Sequence, residues 1–216
     1  MGIIQLDAYI FLLSGSDRFT FLDGLSTNKV EESCSTVLTT TNAKIIDVID
    51  VVEVGETAAI IGYGPYREKV LHHLQPRILQ QDVAIRDITN LNRVYLSTEP
   101  PEENEGGTQF QSYLGWLIIV SKDNPIETTM TQEEFTDYRI ENLLPLQGYE
   151  ISEKFHPFNC GLEHLVHEAK GCYIGQEVLT RMRSRGNMGR QLMRVPRTAE
   201  DATSVGTKGA LAIRRQ

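Results

Sequence analysis

Residues 170–177 read KGCYIGQE, a stretch that gathers an ammonium, a thiol, a phenol, an amide and a carboxylate around two glycines. Core segments do not have this composition, and neither do solvated loops. A thiol becomes a nucleophile or ligand as its thiolate, which nearby cations and a helix N-terminus favour. Lys170 lies two residues before Cys172, and YIGQEVLTRM after it reads as a short helix, with Gly171 and Gly175 allowing a tight approach. The competing reading is a buried, inert cysteine that packs as a small hydrophobe. The flanking lysine and paired glycines put the reactive reading level with it.

Three other groupings have chemistry in reach. RIE, Arg139 to Glu141, falls late in a helix, where a glutamate is normally a solvated face residue. A carboxylate also accepts two parallel N–H bonds from a guanidine-like edge, and the aminopyrimidinone side of a pterin presents such an edge. Cys160, His164, His167 and Cys172 are zinc-ligand types, but C-x3-H-x2-H-x4-C is not a common finger spacing, and polar residues on a helix are the favoured reading. No metal site is assigned. RSRGNMGR, 183–190, alternates Arg and Gly into a cationic loop suited to carboxylates or phosphates, or to pairing with an acidic body.

The elements that must position these residues follow from patterning. YIFLLSG reads as a strand ending in a glycine turn. SDRFTFLDGLSTN reads as a short helix with Ser16 or Asp17 at its N-cap and Phe19, Leu22 and Leu25 on one face. KIIDVIDVVEVG and TAAIIGYG are β-branched runs that predict a hairpin. PYREKVLHHLQPRI predicts a helix opened by Pro65 with Val70, Leu71 and Leu74 inward. RVYLSTE and YLGWLIIVSK predict two more strands, with the acidic PPEENEGG loop between them. TQEEFTDYRIENLLP opens with a capping box, Thr131 and Glu134, places Phe135, Tyr138 and Asn142 at helical spacing, and stops by Pro145. Strands and helices mix without regular alternation, so the expected class is α+β.

Bulk properties narrow the function classes. The net charge of −8 hides an asymmetry: residues 1–169 hold 11 Lys/Arg against 26 Asp/Glu, whereas residues 170–216 hold 10 against 3. A basic tail on an acidic body fits internal docking, an anionic ligand such as a polyglutamate tail, or RNA. The chain as a whole is too acidic for a general nucleic-acid binder. The longest apolar run, LGWLIIV, is far too short to span a bilayer. MGIIQLDAYI lacks a basic n-region, and Leu6 stands where a myristoylation motif needs Ser or Thr. Three cysteines fit a reduced compartment. A cytoplasmic protein is expected.

KGCYIGQE followed by RSRGNMGR resembles the motif K-G-C-[YF]-x-G-Q-E of the YgfZ proteins, folate-binding relatives of the glycine-cleavage T-protein. LSGSDRFTFLDGLSTNKV, RIENLLPLQGYEI, FNCGLEHLVHEAKGCY and GTKGALAIRR resemble further family segments, so the likeness covers most of the chain and is strongest over 139–190. The resemblance implies a GcvT/YgfZ-like α+β fold with mixed or antiparallel sheets that binds tetrahydrofolate or a one-carbon derivative. It implies a folate-binding module over 1–190 and a shortened remnant of a C-terminal β-barrel over 191–216. Its implied functional pair is Lys170 and Cys172, and its implied cofactor-binding set is Glu141, Arg139, Asp47, Tyr173, Gln176 and Glu177. Partners implied are iron–sulfur proteins or their assembly machinery, with a link to tRNA modification, RNA and no membrane. Two alternatives stand beside it: a folate-dependent aminomethyltransferase, and a non-catalytic metal or RNA adaptor. Against the transferase, Asp47 remains in NAKIIDVID but Val48 stands where the T-protein has a second acid. An iminium-forming transfer needs an acid to steady the cation.

Overall fold

The computed structural model describes residues 2–102, 107–186 and 189–215. Parts of the PPEENEGG and RSRGNMGR segments therefore lie outside the described residues. The chain forms two compact units: Met1–Asp23, Val30–Ser35 and Ile49–Thr131 make the first; Gly24–Lys29, Thr36–Val48 and Gln132–Gln216 make the second.

In the first unit the strands β1 (Ile3–Leu6), β7 (Asn92–Ser97), β9 (Gly115–Ser121) and β8 (Thr108–Ser112) form an antiparallel sheet in the order β1-β7-β9-β8. Ile3, Tyr95, Ile118 and Val120 make one core cluster of this sheet. A second sheet carries β4 (Ile45–Val54), β5 (Thr57–Tyr63), β2 (Ala8–Ser14) and β6 (Ala84–Asp87), side by side in that order and antiparallel. Its central strands are apolar on both faces: Tyr9, Ile10, Phe11, Leu13, Val51 and Ile60 are buried. That is why these runs are continuously hydrophobic rather than alternating.

The helices depart from expectation in detail. α1 (Arg18–Leu25) buries Phe21, Leu22 and Leu25, while Phe19 stays half-buried under the Arg18 guanidinium at 4.8 Å. Asp17 takes the N-cap position, its carbonyl accepting the Phe21 N–H at 2.8 Å, but the side chains of Ser16 and Asp17 turn to Asp82: its carboxylate accepts the Ser16 N–H and hydroxyl, and its own N–H donates to the Asp17 carboxylate at 2.8 Å. α2 (Arg67–Leu74) buries Val70, His73 and Leu74, with Leu71 half-buried; Pro65 opens the 3-10 turn Gly64–Tyr66 that leads into it.

In the second unit, the Thr36–Thr39 part of β3 (Cys34–Thr39) turns through residues 40–44 into the first residues of β4; the Thr40 N–H bonds to the Lys44 carbonyl and the Ala43 N–H to the Thr40 carbonyl. α3 (Gln132–Asn142) and α4 (Gln176–Arg185) follow. β10 (Gln191–Val195), β12 (Ala210–Arg214) and β11 (Ser204–Val205) then close the chain in an antiparallel sheet of order β10-β12-β11. Where a shortened remnant of a C-terminal barrel was expected, the chain forms a three-stranded open sheet, with no closed barrel among the described residues. Three strands are too few for the tilt and stagger that close a sheet into a barrel. The α+β expectation with antiparallel sheets holds. No helix among the described residues is long and apolar enough to cross a membrane.

Candidate functional site

The KGCYIGQE segment lies in the second unit as a loop pinned at both ends. At its start the Lys170 ammonium donates to the carbonyls of Ser26 (2.9 Å) and Asn28 (2.7 Å) and stands 5.3 Å from the Tyr173 ring centroid. At its end Thr39 donates its hydroxyl to the Ile174 carbonyl at 2.6 Å. Gly175 caps α4 in the left-handed region (φ 88°), and a Cβ there would meet the Thr39 hydroxyl at 2.7 Å and the Thr40 carbonyl at 2.9 Å. Only glycine supplies that φ and that close approach together. Tyr173 and Leu179 pack with Ala43, Phe158 and Val166, and this burial pushes the Tyr173 phenol up from its ordinary pKa. The Tyr173 N–H donates to the Gln176 amide oxygen at 3.4 Å, tightening the turn into the helix.

Between these anchors Cys172 is exposed and free, and a side chain at neighbouring Gly171 would meet open space. The buried, inert reading therefore fails for Cys172. It holds for Cys160, which is fully buried, donates its thiol to the Glu150 carbonyl at 3.4 Å and has its pKa pushed far up by desolvation. Cys172 lies four positions before the first residue of α4, outside the first turn where the helix dipole acts. Glu177 is exposed and pairs with Arg181 one turn along at 2.7 Å.

The RIE segment separates into two environments. Glu141 is exposed near the C-terminus of α3, and its carbonyl accepts Arg194 at 2.6 Å. Arg139 points inward: its guanidinium, 1% exposed as a residue, pairs with Glu150 at 3.1 Å, donates to Ser204 at 3.0 Å and lies against the rings of Phe135 and Tyr149 at 5.7 and 5.5 Å. Glu150 also accepts the Leu146 N–H and the hydroxyls of Thr203 and Ser204. Sequence reading missed Glu150, whose neighbours in QGYEISE show no pattern that marks a buried acid.

Asp47 is fully buried on β4, with its carboxylate accepting the Val48 N–H at 2.9 Å; Val48 is buried as well, and its carbonyl accepts the Gln147 amide. In the first unit, Asp50 went unremarked in the sequence although it lies three residues on. Its carboxylate is bonded by the Ser35 hydroxyl and by Ser112 at 2.8 Å, and desolvation raises its pKa to about 6 against these two hydrogen bonds. The Cys160, His164, His167 and Cys172 grouping is not brought to a centre: Cys160 is in the core, His164 and Cys172 are exposed, and the His167 ring nitrogen accepts the Ala169 N–H. No group of three or more His, Cys, Asp or Glu able to hold a metal occurs among the described residues.

No protein-family model matches the chain, and no curated protein matches it in sequence. Among solved structures, the aminomethyltransferase T of the glycine cleavage system from Bartonella henselae matches with a TM-score of 0.79 and 13% identity, covering 99% of this chain and 78% of that one. At that identity the likeness establishes the fold: this chain has the fold of an aminomethyltransferase T.

Proposed function

We propose that the protein binds tetrahydrofolate and works as a YgfZ-type factor in the assembly or repair of iron–sulfur enzymes, with Cys172 as its reactive group. The observation that carries this reading is the presentation of KGCYIGQE: an exposed thiol at the tip of a loop whose two ends are held by named hydrogen bonds. A loop kept only for packing has no need to hold an exposed cysteine between two such anchors. The shared fold with an aminomethyltransferase T supports the folate part.

The residues present fit a pterin in part. Glu141 fits: it is an exposed carboxylate on a helix, free of a salt bridge among the described residues, and able to accept the paired N–H groups of the aminopyrimidinone edge. Tyr173 and Gln176 adjoin the thiol and fit a supporting role. Arg139 does not fit, because its guanidinium is spent inside the protein on Glu150 and Ser204. When bound, tetrahydrofolate supplies a carrier for a one-carbon unit. This chain's part is to hold the pterin at Glu141, to keep Cys172 at a fixed place, and through Lys170 to lock the loop onto residues 26–28. The aminomethyltransferase reading is weaker, since Val48 is a buried apolar residue where that chemistry wants an acid.

Calorimetric titration of tetrahydrofolate against the wild type and Glu141→Ala tests the folate part. Loss of the charge-assisted pair is expected to weaken binding about tenfold or more, and equal affinities would remove Glu141 from the site. Replacement of Cys172 by Ala is expected to abolish rescue of iron–sulfur enzyme activity in cells lacking the protein; undiminished rescue would defeat the role given to the thiol.

A further inference from the structure

A second feature of the second unit, separate from the thiol loop, is an open cleft of about 610 Å3. That volume is in the usual range for small-molecule sites. Lys44, Lys154, Arg185, Arg190 and Arg215 line it, and no Asp or Glu does among the described residues. In a protein of net charge −8 such a wall is a local reversal of the global field. Like charges brought together repel one another, and an anion seated between them would relieve that repulsion.

The fold builds this wall from segments far apart in the sequence. Arg185 ends α4, and Val178 and Met182, seven and three residues before it on the same helix, bring its apolar face to the cleft. The β10–β12 register pairs Gln191 with Arg214, which sets Arg190 and Arg215 side by side at the end of that ladder. Lys44 donates to the Lys154 carbonyl at 2.8 Å, and the Ile45 N–H to the Phe155 carbonyl at 3.1 Å, fixing the opposite wall. Buried Asn159 ties the two walls, donating to the Arg190 carbonyl at 2.9 Å while accepting the His156 N–H. Phe155 and Met182 are partly exposed and give the cleft an apolar side.

We propose that this cleft is the binding site of a small organic polyphosphate. Three guanidinium forks match phosphate oxygens in pairs, and two ammonium groups add charge that is not tied to one geometry. Five cations in one small cleft call for an anion of high charge density, which a diphosphate offers and an isolated carboxylate does not. Phe155, Val178 and Met182 take the organic portion. The inference stands apart from the folate reading and uses none of its residues.

Calorimetry of the full chain in low salt, with sodium pyrophosphate, ADP and citrate as separate titrants, tests it. Pyrophosphate is expected to bind, ADP to bind more tightly through the apolar side, and Arg185→Ala/Arg215→Ala to weaken both by about tenfold or more, the size of a lost charge-assisted contact. Both arginines are exposed, so the variant is expected to keep the wild-type circular dichroism and melting profile. Absence of pyrophosphate binding, equal affinity in the double variant, or citrate binding as tightly as pyrophosphate would overturn the proposal.

Discussion

Glu150 in the second unit and Asp50 in the first, both buried carboxylates, are held in opposite ways. Glu150 in the second unit faces the Arg139 guanidinium and accepts two hydroxyls and a backbone N–H. Among the described residues Asp50 in the first unit has two serine hydroxyls and no cation, and its pKa rises to about 6. A buried anion is tolerated when a cation and enough donors replace its water. With neutral donors alone, desolvation wins and the group drifts toward its protonated form. The first arrangement is a structural tie that depends on both members, whereas the second is a group at which ionisation opposes folding.

The comparison breaks most severely at Arg139. Arg139→Ala leaves Glu150 buried without its cation and is expected to cost about 3–5 kcal/mol in denaturant unfolding. A cost under about 1 kcal/mol would show that the hydroxyls alone suffice, and that the two sites do not differ in kind.

Asp50 should respond with the opposite sign. Its folded pKa lies above the ordinary carboxylate value, so between roughly pH 4 and 6 the folded protein holds a proton that the unfolded chain has lost. Stability from this group is therefore present at low pH and is lost as pH rises through about 6. Asp50→Asn keeps an acceptor for the serines and removes the ionisation. It is expected to stabilise the protein at pH 8 by up to about 3 kcal/mol and to make little difference at pH 4. His73 in the same unit carries the reverse slope. Burial, helped by Arg77 and Lys69, lowers its pKa to about 4, so its contribution grows as pH rises from about 4 to 6.5. In the Asn variant that rise is no longer offset, and the stability–pH curve between pH 4 and 6.5 should steepen. An unchanged curve would contradict the assignment of the Asp50 pKa.

The smallest effect belongs to an acid that never leaves water. Glu177 pairs with Arg181 at 2.7 Å on the outside of α4. Glu177→Ala should change stability by about 0.3–0.5 kcal/mol, diminishing in high salt. A larger loss would mean that proximity alone sets the strength of these pairs, irrespective of burial.

Legibility in the sequence follows the range of the forces involved. The β4–β5 hairpin, β2, β7 and β9 announce themselves through β-branched and apolar runs, and α3 and α4 through capping and glycine signals. β1, β3, β6 and β8 do not, being short or polar segments whose strand state is chosen by the neighbours that take up their N–H and C=O groups. α1 shows the same limit. Its helical span is readable, but Ser16 and Asp17 bond to Asp82, 65 or more residues away, and the buried face takes Phe21 rather than Phe19. At the candidate site the motif and its glycines are readable, as is an exposed acid at Glu141. The fate of Arg139 is not, because its partner is eleven residues on in a stretch without periodicity.

By itself the sequence determined which segments turn, which run as core strands, and that a lysine, a cysteine and two glycines share one tight loop, because these depend on local backbone preference and on side-chain hydrophobicity. Only the tertiary structure decided that Cys172 is exposed while Cys160 is buried, that Arg139 is spent on Glu150, and that Lys44, Lys154 and Arg215 meet in one cleft. Desolvation and Coulomb interactions act through space between groups from eleven to more than a hundred residues apart, and no local pattern carries that information.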